Sequence, residues 1–191
     1  MSEKGKKIAE SLRGVSDFYV EVAKLLAHAT STITNEHWEV AISAASGSEG
    51  SKAIHSPRYW MPEDAFQFYR HKTNILRVAF VAVIFNDVRR PKVVEEPFVT
   101  AGWLRCSPRS SIPNKQILLS WCRLSLDSGC ELELGGSWLD IAPEVIDKKG
   151  KYHIDQARTM AYPLTAINSE TELTEMVVDP LIAELSATDA D

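Results

Sequence analysis

The sequence predicts an α+β domain, an antiparallel sheet of about five strands with N-terminal helices and a C-terminal helix packed on it. Three observations carry this. The stretch Asn74–Asp87, N-I-L-R-V-A-F-V-A-V-I-F-N-D, holds ten apolar residues, five of them Val or Ile, interrupted only by Arg77. It is too short and too β-branched for a buried helix, so residues 75–85 read as a central strand covered on both faces. Amphipathic stripes at helical spacing stand at both ends of the chain. Between them, short connections join the later apolar runs, which favours antiparallel neighbours.

Taken in order, residues 1–5 are expected to fray. From Lys6 onward, Ile8, Leu12, Val15, Tyr19, Val22, Leu26 and Ala29 recur at steps of three and four. That spacing is an amphipathic helix of about six turns. Thr30–Thr34 ends it. Thr34 is then placed to cap a second, shorter helix carrying Trp38, Ala41, Ile42 and Ala45, although H-W-E-V-A-I-S also fits a strand. Residues 46–57, Gly/Ser-rich, read as a flexible loop. The spacing there fails the G-x-x-x-x-G-K-[ST] of a phosphate loop. Pro62, Glu63 and Asp64 at one end and Arg70, His71 and Lys72 at the other match a helix macrodipole, which predicts a helix over 62–72.

Phe98–Cys106 and Gln116–Leu126 read as strands. Cys130–Leu134 alternates apolar and acidic residues, Gly135-Gly136 interrupts, and S-W-L-D-I resumes. Residues 142–162 fit either a hairpin or a helical turn after Pro143. Asn168 or Ser169 caps a last helix, with Glu170 and Glu172 in its first turn. Its stripe is Leu173, Val177, Leu181 and Leu185, and Pro180 is expected to kink or restart it. Residues 187–191 are expected to fray. The whole reads as one domain over 1–191.

The totals bound the class. At 45% apolar and 25% charged residues, the composition is that of a globular chain. A net charge of −5 argues against bulk attraction to nucleic acid or membrane. No apolar run reaches the roughly 18 residues of a membrane span, and no h-region follows the charged start. Cys106, Cys122 and Cys130 read as reduced thiols in a cytoplasmic protein. Set in or beside apolar strands, they suit inert burial better than nucleophilic chemistry.

Two constellations stand out. Trp103-Leu104-Arg105 and Trp121-Cys122-Arg123 repeat a W-x-R pair inside predicted strands, and Trp138-Leu139-Asp140 follows. Residues two apart on a strand share a face, so each indole sits beside its own charge. From Pro97 to Leu126 there is no acid, while Arg105, Arg109, Lys115 and Arg123 are present. Trp103, Arg105, Arg109, Trp121 and Arg123 therefore make a candidate binding surface for an anionic partner such as a nucleotide or nucleic acid. The competing account is sheet packing, with the guanidinium tips reaching solvent. From Thr159 onward there are seven acids and no Lys or Arg, so the acidic and basic segments also suit each other, within one chain or across a homodimer.

The second constellation is catalytic. Glu131, Glu133, Asp140 and His153 would gather into a Mg²⁺ site for phosphodiester cleavage. The lysine such a site wants is missing between Lys115 and Lys148. The five histidines stand singly, without metal-ligand spacing. Serine-hydrolase and dinucleotide fingerprints are missing too. The sequence thus favours a cofactor-free, non-catalytic interaction protein, with a protein partner or homodimer ahead of nucleic acid. A small nuclease is the alternative, and a small-ligand sensor the third.

Overall fold

The computed structural model describes residues 2–35, 37–44, 64–85, 96–106, 134–141 and 154–189. The first element is a long helix, α1 (Glu3–Ile33), started by Ser2, whose hydroxyl accepts from the Gly5 amide at 3.2 Å. Among the described residues six strands follow: β1 (Trp38–Ala44), β2 (Asp64–His71), β3 (Arg77–Ile84), β4 (Phe98–Cys106), β5 (Leu139–Asp140) and β6 (Ile154–Pro163). They form one antiparallel sheet in the order β1-β2-β3-β4-β6-β5. A short 3-10 turn (Leu164–Ala166) leads into the C-terminal helix. That helix has three consecutive pieces: α2 (Glu170–Leu173), a π-helical turn (Thr174–Val178) and α3 (Asp179–Asp189).

β3 is the interior strand its composition predicts, and every one of its residues is buried. It pairs with β2 from Asp64↔Ile84 to Arg70↔Val78, and with β4 from Arg77↔Arg105 to Ile84↔Phe98. The pleat sends Ala79, Val81 and Val83 to one face and Val78, Phe80, Ala82 and Ile84 to the other. The first face is the helical one. There Ala65, Tyr69, Val99, Ala101, Trp103 and Met160 meet Val22, Leu26, Ala29 and Ile33 of α1, and Leu173, Val177, Leu181 and Leu185 of the C-terminal helix. Small residues along β3 let two helices approach. The second face is larger in side-chain volume, built on Phe66, Phe68, Phe80, Phe98 and Leu104. Gly102 sits where β4 meets β6: a Cβ there would lie 2.2 Å from the Arg158 carbonyl oxygen, so no larger residue fits without moving the backbone.

Two expected helices are strands. Residues 62–72 promise a helix by charge order, but Asp64–His71 is β2, buried on both faces. Phe66, Phe68 and Tyr69 are poor choices for a short exposed helix and good ones for a sheet interior, and pairing on both edges outweighs a macrodipole effect of about 0.3–1 kcal/mol. Trp38–Ala44 likewise forms the edge strand β1 rather than a second helix. Thr34 closes α1 instead of opening a new helix, and the Asn35 side chain accepts from the amides of His37 and Trp38, a turn that delivers the chain into the sheet. The undecided 142–162 region contains β6 from Ile154 onward. α1 begins at Glu3 and α3 runs to Asp189, so helix extends into both stretches expected to fray. The loop over 46–57, the strand over 116–126 and residues 130–133 of the alternating run lie outside the described residues.

The C-terminal helix follows its sequence closely. Ser169 caps it, its Oγ accepting from the Glu172 amide at 3.1 Å, while the Glu172 carboxylate accepts from the Asn168 amide at 2.6 Å. All four predicted stripe residues are buried. Pro180 is accommodated by the π turn: the Asp179 amide donates five residues back to the Thr174 carbonyl, which widens the helix just before the proline.

Candidate functional site

The pleat of β4 puts Trp103 and Arg105 on one face, as their spacing requires, and that face is the helical one. Trp103 is 5% exposed, packed in the core beneath α3. Its indole N–H donates to Glu184 Oε1 at 3.3 Å. The same carboxylate accepts from Arg158 Nη1 at 2.6 Å, and Arg158 Nε lies 2.7 Å from Asp140 Oδ1. That second contact is an ion pair rather than an aligned hydrogen bond. The Arg158 guanidinium also stands 5.5 Å from the Trp138 ring. Burial lowers the tendency of Arg158 to stay charged, and the Glu184 and Asp140 carboxylates more than offset it, holding its pKa above the ordinary value. The Trp103 indole therefore has no open face on which a base could stack, and its polar edge is already engaged.

Arg105 stands opposite Arg77 across the β3–β4 ladder. Arg77 is buried and donates through Nη2 to the Leu185 carbonyl at 3.1 Å and to the Thr188 hydroxyl, at the C-terminal end of α3. A cation at that end complements the helix dipole. Burial and the charge of Arg105 pull the Arg77 pKa below its ordinary value. Arg109, Trp121 and Arg123 lie outside the described residues. So do Glu131, Glu133 and His153 of the catalytic constellation. Asp140, its remaining member, is paired with Arg158. Among the described residues, no group of three or more His, Cys, Asp or Glu side chains is gathered as a metal ion requires. Burial pushes the Cys106 thiol up to about 12, which makes it an inert side chain at neutral pH.

The surface feature that stands out is on α1. This helix has 31 residues, about 46 Å at 1.5 Å per residue. The sheet formed by the described residues is shorter: its six strands span about 24 Å across, and eight-residue strands run about 26 Å along it. Only the second half of α1 is buried, through Val22, Leu26, Ala29 and Ile33. Phe18 and Tyr19 lie edge-on to Phe85 at ring separations of 5.3 and 5.5 Å. Before them no residue of α1 is buried, yet the apolar stripe continues. Ile8 is 53% exposed, Leu12 66% and Val15 38%.

A groove of about 560 Å³ opens at the foot of this projecting segment. Phe18, Leu25, Pro97, Leu164 and Ile167 supply its apolar lining, with Glu21, Lys24 and Glu170 among its polar residues. Lys24 and Glu21 are paired at 2.8 Å, and His28 donates or accepts at Thr174 Oγ1 across 2.9 Å. The Lys24–Glu21 pair lies within α1, whereas the His28 contact ties α1 to the C-terminal helix beside the groove. Phe18, which lines the groove, stands three residues after Val15 of the exposed stripe.

Sequence inspection finds the stripe but not its exposure. The signal available was length: a seam at three- and four-residue steps from Ile8 to Ile33 is longer than a small sheet can cover. Glu184 and Arg158, which occupy the Trp103 edge, carry no local signature, because they lie 81 and 55 residues from it in the chain. Comparison of the chain with protein-family models, with curated proteins and with solved structures finds no match.

Proposed function

We propose that this chain is a non-catalytic interaction protein of the cytoplasm that docks a polypeptide partner along residues 3–17 of α1 and into the groove at its foot. One observation carries the proposal: the apolar seam of α1 continues past the body, with Leu12 two-thirds exposed. Residues 3–17 extend the helix that residues 19–33 anchor, so they hold by propagation alone, which gains little per residue in water. Gly14 weakens this segment by ~1 kcal/mol relative to Ala. A second surface laid on the seam supplies the burial that the body does not. Docking of a helix face by apolar anchors at i, i+4 and i+7 is a recurring recognition mode, and Ile8, Leu12 and Val15 have that spacing. The paired state of Asp140 and the closed edge of Trp103 favour this surface over the nuclease site and over the Trp/Arg sheet surface.

The experiment is site-specific photocrosslinking in expressing cells. A photoreactive residue at position 12 is expected to give a discrete adduct whose mass identifies the partner, another polypeptide or a second copy. The same group at position 10, on the opposite side of the helix, is expected to give none. No adduct at position 12 overturns the proposal.

A further inference from the structure

The geometry points to a second copy of this chain as the occupant of the exposed seam, paired antiparallel over residues 3–17. This rests on the reading of that segment as a docking surface and adds the identity and orientation of the partner.

The seam of α1 alternates steps of four and three without a break: Ile8, Leu12, Val15, Tyr19, Val22, Leu26, Ala29, Ile33. That two-in-seven seam packs on the sheet and the C-terminal helix over residues 22–33, and over residues 3–17 it has the spacing that a helix pair uses. Extended backward it includes Gly5. Over residues 19–33 the body occupies this side, so any partner must stop near residue 18. A parallel second copy is excluded by space, since both bodies would have to occupy the same side of the pair at the same level. An antiparallel copy fits, because the bodies then stand at opposite ends. With residue 3 of one chain beside residue 17 of the other, the free segments overlap fully. Ile8 lies opposite Leu12 and Gly5 opposite Val15, each pairing occurring twice by symmetry.

The flanks of the seam agree. On one side stand Lys4 and Ser11, on the other Ala9 and Ser16. Charged flanks select a complementary partner, and here only Lys4 is charged. Small, uncharged flanks instead let two copies approach closely without like-charge repulsion. Lys6, Lys7, Glu10, Arg13 and Asp17 point away from the seam and keep the pair in water. The contact is small beside the ~1,600 Å² of a standard interface, so dissociation in the micromolar range is expected.

The test is sedimentation of the purified full chain from about 1 to 200 µM, a range that brackets such a constant. Wild type is expected to pass from monomer to dimer. Leu12→Glu is expected to stay monomeric with an unchanged helical signal, because Leu12 is not part of the body's core. An Ala9→Cys chain is expected to crosslink to itself through a short bismaleimide, above the background of the native thiols. A Gly5→Cys chain crosslinks to itself only in a parallel pair. Monomer at every concentration, a dimer that survives Leu12→Glu, or self-crosslinking at position 5 without position 9 overturns the inference. A monomer in solution combined with a foreign adduct at position 12 in cells removes the second copy and leaves the docking surface standing. No adduct of either kind removes both.

Discussion

Residues 19–33 and residues 3–17 of α1 carry one apolar pattern, yet the first set is core and the second faces water. In the covered half, Val22, Leu26, Ala29 and Ile33 meet the sheet and the C-terminal helix. In the projecting half, Ile8, Leu12 and Val15 continue the same spacing and are exposed. Periodicity therefore specifies the side a helix will bury, while the reach of the body decides how much of that side is buried within one chain. The surplus is the exposed stripe of residues 3–17.

Charge placed in the covered half gives the largest expected effect. Ile33→Asp buries an unpaired carboxylate, at about 3–5 kcal/mol or more against a total stability of about 5–15. Loss of the cooperative thermal transition by circular dichroism is the expected result, and a folded, normally melting variant would mean that this half is not core.

Next comes the surface that α1 shares with the C-terminal helix. Leu181→Ala empties a fully buried site beneath α3, and the cost should be about 2–5 kcal/mol in urea unfolding. A cost that also grew on dilution would place part of this stripe in an interface between copies.

Leu12→Glu, by contrast, is expected to shift the stability of the dilute monomer by no more than about 0.5 kcal/mol. A large loss at 1 µM would show that residues 3–17 fold against the body after all. The smallest effect belongs to Gly14→Ala. No atom lies within 4 Å of the place its Cβ would occupy. The gain should be about 0.5–1 kcal/mol, visible as slower amide exchange over residues 3–17 and barely at all in the global melting temperature.

How much of this was written in the sequence depends on whether local signals and tertiary context agreed. β3 was legible because both of its faces are buried, and Val/Ile enrichment then suffices. β4 was legible over the same residues that the sheet uses, Phe98–Cys106. The C-terminal helix announced its cap to within one residue, Asn168 or Ser169, and its stripe to the residue. β2 was hidden because the charges at its two ends, Asp64 at the first and Arg70, His71 and the following Lys72 at the last, imitate a helix dipole. β1 was hidden because Trp38, Ala41, Ile42 and Ala45 fit a helix stripe as well as a strand. At Trp103 the shared face and the packing account were both legible, and the partners of the indole edge were not. The groups that close it, Glu184 and Arg158, arrive from elements far along the chain. Exposure on α1 was invisible for the complementary reason: nothing local records where a sheet ends.

The bond from Arg77 to the far end of α3 has a consequence for the order of events during synthesis. β3 is made early, but its buried guanidinium finds the Leu185 carbonyl and the Thr188 hydroxyl only after translation has passed residue 188. Until then the helical face of the sheet lacks Leu173, Val177, Leu181 and Leu185, and α1 has its entire seam bare with only half a floor beneath it. The domain therefore closes late, in one step, rather than growing from its first helix. Ribosome-stalled chains ending near residue 165 should be cut readily by protease within β3 and β4. Those long enough to have residue 188 clear of the exit tunnel should resist, and equal resistance at both lengths would disprove the late closure.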